Sequence, residues 1–70
     1  MSESADRAVA LHRALARPRG VLPTLAEVDQ ALAAVQGLPM ADERDTAAVR
    51  DISLALVHLR NAVVADAATG

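Results

Sequence analysis

The spacing of apolar and polar residues predicts three helices, of which the last is the longest. Residues 42–66 contain no Pro or Gly, and Asp42 is a suitable N-cap. Apolar residues in this segment recur at alternating intervals of three and four, which places them on one side of a helix. These seam residues are Val49, Ile52, Leu56, Leu59 and Val63. We therefore predict one continuous helix over residues 42–66.

A first helix is predicted over residues 4–17. The polar start of the chain offers Ser2 or Ser4 as its N-cap, and Pro18 prevents its continuation. Its apolar stripe is weak, because Ala occupies most positions and Leu15 is one of few bulky side chains.

A second helix is predicted over residues 24–36. Thr24 and Glu27 have the spacing of a capping box, in which a hydroxyl and a carboxylate satisfy free backbone N–H groups at a helix start. Gly37 is expected to end the helix in the left-handed conformation, and Pro39 follows it.

The predicted fold is a single all-α domain of three helices spanning residues 1–70. The link between the second and third helices is short, so these two should form an antiparallel hairpin. The core should be thin, because the chain is short and has no aromatic residue. Disulfides cannot stabilise the fold, because the chain has no Cys. Oligomerisation is the remaining usual support for so small a scaffold. We therefore expect two copies to associate as a helical-bundle dimer.

The third helix carries more apolar surface than the other two can cover. Leu54, Val57 and Val64 lie on the side away from the seam, and Ala recurs every seven residues beside the seam. Such a column of small side chains allows another backbone to approach closely. The candidate partner-binding residues are Ala48, Leu54, Ala55, Val57, Ala62 and Val64.

Charge and composition argue against several classes of partner. The net charge of −2 provides no basic surface for nucleic acid. The first residues are acidic and polar, unlike a signal peptide, and the longest apolar run is only residues 31–35. We therefore expect a cytoplasmic protein without a membrane partner. All seven basic residues are Arg, and Ala is abundant, which is typical of GC-rich bacterial genomes.

No group of residues in the sequence indicates catalysis, a cofactor or a metal. His12 and His58 each lack a second ligand or orienting group three or four positions away. Arg13, Arg17 and Arg19 could bind a phosphate or an acidic partner, but helix-dipole compensation and solubility also explain them. A metal site would require folding to bring His12 and His58 together. We do not expect an enzyme.

Residues 22–63 resemble the helical hairpins that follow carrier domains in actinobacterial modular polyketide synthases. The matching features are a Leu-rich helix, an aliphatic helix and the link carrying Leu38, Pro39, Asp42 and Glu43. The segment Ser53-Leu54-Ala55-Leu56 departs from the family, whose hairpins tend to read Arg-Leu-x-x-Leu-Leu at that point. The resemblance implies a docking or dimerisation element of a multienzyme synthase.

The leading prediction is a small non-enzymatic interaction module that self-associates, or docks onto a larger protein, through its third helix. The alternative is an accessory, non-catalytic subunit that stabilises or regulates a partner enzyme. A transcriptional regulator is disfavoured, because no helix presents the side chains needed to read bases.

Overall fold

The computed structural model describes residues 3–69. It contains three α-helices, α1 (Glu3–Arg13), α2 (Leu25–Gln36) and α3 (Glu43–Thr69), and no strand within that range. The prediction of an all-α fold with three helices is confirmed. α3 packs against both α1 and α2, which contact each other less.

α1 ends earlier than predicted, at Arg13 instead of Arg17. The chain beyond it tightens into shorter turns, with the Leu15 N–H donating to His12 O (3.1 Å) and the Ala16 N–H to Arg13 O (2.9 Å). Arg17 precedes a proline, which disfavours helical backbone at that residue. Its guanidinium donates to the free carbonyl of Ala14 at 2.8 Å. Backbone groups at the end of α1 thus have hydrogen-bond partners although the α-helix does not continue.

The start of α1 also differs from the prediction. Ser4 is not an N-cap, because α1 already begins at Glu3. The Ser4 side chain is buried, and its hydroxyl donates to the carbonyl of Pro39 at 2.6 Å. This bond ties the start of α1 to the link between α2 and α3. The other N-cap candidate, Ser2, lies outside the described residues.

α2 begins with the predicted capping box. The Glu27 N–H donates to the Thr24 hydroxyl oxygen at 3.2 Å, and the Thr24 N–H donates to the Glu27 carboxylate at 3.1 Å. The same carboxylate oxygen accepts from Arg17 at 2.9 Å. The cap of α2 is therefore also the point where the segment after α1 is held.

The prediction that Gly37 is left-handed is wrong. Its φ of −86° and ψ of −3° are right-handed. The Gly37 N–H still donates to Ala33 O at 3.1 Å, which is the hydrogen-bond pattern of an α-helix. Gly37 therefore closes the last turn of α2 with helical backbone angles. The left-handed glycine is Gly20, with φ of 80°, in the segment between α1 and α2.

Asp42 caps α3 as predicted, since its carboxylate accepts from the Asp45 N–H at 2.9 Å. α3 runs to Thr69, three residues beyond the predicted end at residue 66. Ala67 and Ala68 are strong helix formers, and residues 67–69 contain neither Pro nor Gly. Residues 67–69 therefore contain no signal that would end the helix at Asp66.

The core lies along one side of α3, where α1 and α2 meet it. Of the predicted seam, Val49, Leu56 and Val63 are buried, and Ile52 and Leu59 pack partly buried against them. The buried hydrophobic residues are Ala8, Leu15, Val28, Ala31, Val35, Val49, Leu56 and Val63. Only two of these are larger than Val, so the core is as thin as the composition predicted.

Candidate interaction surface

The side of α3 opposite the core carries a regular row of exposed residues, which we call the outer stripe. Its members recur at alternating intervals of three and four along the whole helix. They are Ala47, Arg50, Leu54, Val57, Asn61, Val64 and Ala68, and all are exposed. This is the spacing of the contact positions in a two-stranded coiled coil.

Three of the seven positions of the outer stripe carry large apolar side chains. Leu54 is 58% exposed, Val64 43% and Val57 38%. Successive members lie about one helical turn apart, so the three side chains occupy one side of the helix. They form an exposed apolar surface, interrupted by Asn61 between Val57 and Val64, that neither α1 nor α2 covers.

The six predicted partner-binding residues fall into two rows. Leu54, Val57 and Val64 belong to the outer stripe. Ala48, Ala55 and Ala62 form a second row between the stripe and the core, in which the first two are half-buried and the third is exposed. A partner centred on the outer stripe would meet the Ala row only along its edge.

Four polar residues on the same face of α3 are not among the partner-binding residues predicted from the sequence. Arg50 and Asn61 belong to the outer stripe, and Asp51 and His58 flank it on one edge. Within residues 3–69 none of the four makes a side-chain hydrogen bond or an ion pair. Their spacing relative to Leu54 and Val57 was the signal that could have identified them.

The opposite edge of the outer stripe is held by an ion pair within the fold. The Arg60 Nε donates to the Asp29 carboxylate of α2 at 2.8 Å. Arg60 is therefore already engaged, unlike the polar residues on the other edge.

A cavity of about 360 Å³ lies where the segment after α1 passes α3. Its wall includes His12, Arg13, Arg17 and Leu59. Of the three arginines considered as an anion site, Arg19 does not line it. Arg17 is already bonded to two backbone carbonyls and to Glu27. The cavity thus does not gather three free guanidinium groups.

The two histidines occupy different places. His12 is half-buried in the wall of this cavity, whereas His58 is exposed on α3 and does not line it. No cluster of three or more His, Cys, Asp or Glu suited to a metal ion occurs in the described range.

Asp45 is a buried carboxylate at the first turn of α3, with 6% of its surface exposed. Its Oδ2 accepts from the Ala41 N–H at 3.2 Å, while its Oδ1 has no hydrogen-bond partner among residues 3–69. With Asp42, it fixes the direction in which the link enters α3. This end of the bundle also holds the bond between Ser4 and Pro39.

Comparison with known proteins gave no match to a family model, to a curated protein or to a solved structure. None of the helices in residues 3–69 has both the length and the apolar character needed to cross a bilayer.

Proposed function

We propose that this protein is a small non-enzymatic interaction module that self-associates through α3. The observation that carries the proposal is the exposure of Leu54, Val57 and Val64 at helical spacing on the side opposite the core. One apolar side of α3 packs against α1 and α2 in the core. The second apolar side is exposed and is available to a partner. The partner proposed is a second copy of the same chain.

The thinness of the core supports the same proposal. A chain of this length that buries mainly Ala and Val gains little hydrophobic stabilisation relative to the entropy it loses on folding. Covering the outer stripe in a dimer would add buried apolar surface to each copy.

In the proposed dimer, α2 and α3 of each copy form an antiparallel hairpin, and two such units make a helical bundle. The short link of residues 37–42 and the ion pair between Asp29 of α2 and Arg60 of α3 support this arrangement. Ala48, Ala55 and Ala62 would lie at the edge of the interface, where small side chains permit close approach.

The proposed setting is the bacterial cytoplasm, without a nucleic-acid or membrane partner. The acidic net charge and the Arg-only basic residues support it.

The mass in solution tests self-association. At micromolar concentration, light scattering should give twice the chain mass of 7.3 kDa. Leu54→Glu should shift the protein to monomer, because a carboxylate on the outer stripe would have to be desolvated in the dimer. Met40→Glu is the matched control, since Met40 is 53% exposed but lies outside α3. A wild-type monomer with a cooperative thermal transition would contradict the proposal.

A second candidate is docking onto a larger protein, as an accessory subunit of an enzyme or an element of a multienzyme synthase. A separate exposed apolar group favours it, formed by Val21 (54% exposed), Leu22 (40%) and Leu25 (38%) beside the cavity. Capture of a partner that is lost with Val21→Asp but kept with Leu54→Glu would support this candidate over self-association.

A further inference from the structure

We infer that the two copies of α3 pair in antiparallel orientation, with Leu54 of each copy facing Val57 of the other. The inference rests on the proposed self-association and specifies its geometry. The inference is based on the apolar pair Leu54 and Val57, which lies near the middle of α3. The neighbouring stripe positions are the polar residues Arg50 and Asn61, whose side chains have no partner in residues 3–69.

The length of the helices favours this register. If Leu54 faces Val57 of the second copy, the twofold axis crosses α3 between these residues. The middle of α3, which spans 27 residues from Glu43 to Thr69, lies at residue 56. The two helices would therefore overlap along nearly their whole length. An antiparallel register shifted by one heptad in either direction would leave one end of each helix without a partner.

The same register matches the polar members of the outer stripe. It sets Arg50 of one copy opposite Asn61 of the other, and Ala47 opposite Val64. The Asn61 amide oxygen can accept from the Arg50 guanidinium, and by symmetry this pair forms twice. A single polar contact position of this kind fixes register in coiled coils.

The flanking residues supply charge complementarity. Asp51 and His58 lie on one edge seven positions apart, which is about 10 Å along a helix, so they cannot reach each other within one chain. Antiparallel pairing brings Asp51 of each copy beside His58 of the other. The His58 ring can donate an N–H to the Asp51 carboxylate whether it is neutral or charged. Residues flanking the contact positions commonly set orientation in this way.

The competing arrangements leave charges or polar groups poorly matched. A parallel pair would set Arg50 against Arg50 at the contact surface, where like charges are unfavourable. An antiparallel pair shifted by one heptad would set Asn61 against Val57 and His58 against His58. Neither alternative gives Asp51 an opposite charge.

Disulfide cross-linking between single-Cys variants tests the orientation, because the chain has no native Cys. Ala47→Cys and Val64→Cys are mixed and oxidised, and the products are identified by intact mass. The inference predicts the mixed dimer as the dominant cross-linked product. The two positions are seventeen residues apart, about 25 Å along one helix, which far exceeds the roughly 7 Å that a disulfide can span between Cα atoms.

Each outcome has a distinct meaning. Cross-links only between identical variants would indicate a parallel pair and overturn the inference. In the shifted register Leu54 would face Val64, so a mixture of Leu54→Cys with Val64→Cys tests that register. Preferential cross-linking of this mixture would also overturn the inference. A dimeric mass without any cross-link would place the contact elsewhere. A monomeric wild-type protein would instead overturn the proposed self-association itself.

A charge exchange tests the flanking pair. Asp51→Arg should raise the dimer dissociation constant about fivefold, as expected for losing two modest exposed contacts between Asp51 and His58. Adding His58→Asp to that variant should restore most of the affinity, because the opposite charges then face each other again. A double variant that binds no better than Asp51→Arg would overturn the pairing.

Discussion

At the scale of single residues, Ser4 shows how tertiary contacts can change the role of a side chain. A serine near the start of a predicted helix suggests an N-cap, and yet Ser4 lies inside α1 with its hydroxyl bonded to Pro39 O. The bond is partly buried and joins residues 35 positions apart in the chain. It therefore holds the start of α1 against the link between α2 and α3.

Ser4→Ala should destabilise the protein by about 1 kcal/mol, because it removes the partly buried hydrogen bond from the Ser4 hydroxyl to the Pro39 carbonyl. The gain in helix propensity from Ala offsets only part of that loss, at most about 0.5 kcal/mol. Urea unfolding followed by circular dichroism measures the difference. Ser53→Ala is the control, since Ser53 lies within α3 without a side-chain hydrogen bond among the described residues. Equal effects of the two substitutions would contradict the role assigned to Ser4.

At the scale of helices, α2 and α3 begin where local chemistry predicts, whereas α1 ends where it does not. Thr24 and Asp42 act as caps through bonds to residues three positions later. Arg17, by contrast, bonds to Glu27 at the start of the next helix. Capping at a helix start is local, while the end of α1 depends on contacts with α2.

Asp42→Ala should cost about 1 kcal/mol, because it removes the acceptor for the Asp45 N–H at the start of α3. Asp42→Asn should retain most of the stability, since Asn is an equally good cap. Thermal and urea unfolding of both variants measure this. Asp66→Ala, near the opposite end of α3, is the control and should change stability little. A loss with Asp42→Asn as large as with Asp42→Ala would show that charge matters more than the hydrogen bond.

At the scale of the whole molecule, α3 determines the shape. The long dimension of the chain is 42 Å, close to the roughly 40 Å expected for a helix of 27 residues. α1 and α2 share one side of this helix, and the outer stripe occupies the other. The proposed dimer would cover that second side and complete a bundle.

The melting temperature should rise with protein concentration, because a dimer that forms only between folded chains is stabilised by mass action. Differential scanning calorimetry over a hundredfold range of concentration measures this. Leu54→Glu should remove the dependence. A melting temperature of the wild-type protein that is independent of concentration would contradict a folded dimer in that range.

The sequence by itself determined the number and type of the helices, the caps at Thr24 and Asp42, and the core side of α3. These features follow from periodicity and from bonds spanning three or four residues, so they are readable without knowledge of the fold. It also identified Leu54, Val57 and Val64 as apolar residues away from the seam.

Only the tertiary structure decided the early end of α1, the bond of Ser4 to Pro39 and the right-handed conformation of Gly37. It also decided that Ala48 and Ala55 are half-buried beside the core, while Arg50 and Asn61 share an exposed row with Leu54. The bond of Ser4 and the burial of Ala48 and Ala55 depend on which segments meet across the bundle. Sequence spacing specifies the faces of a helix, but packing decides which face remains open.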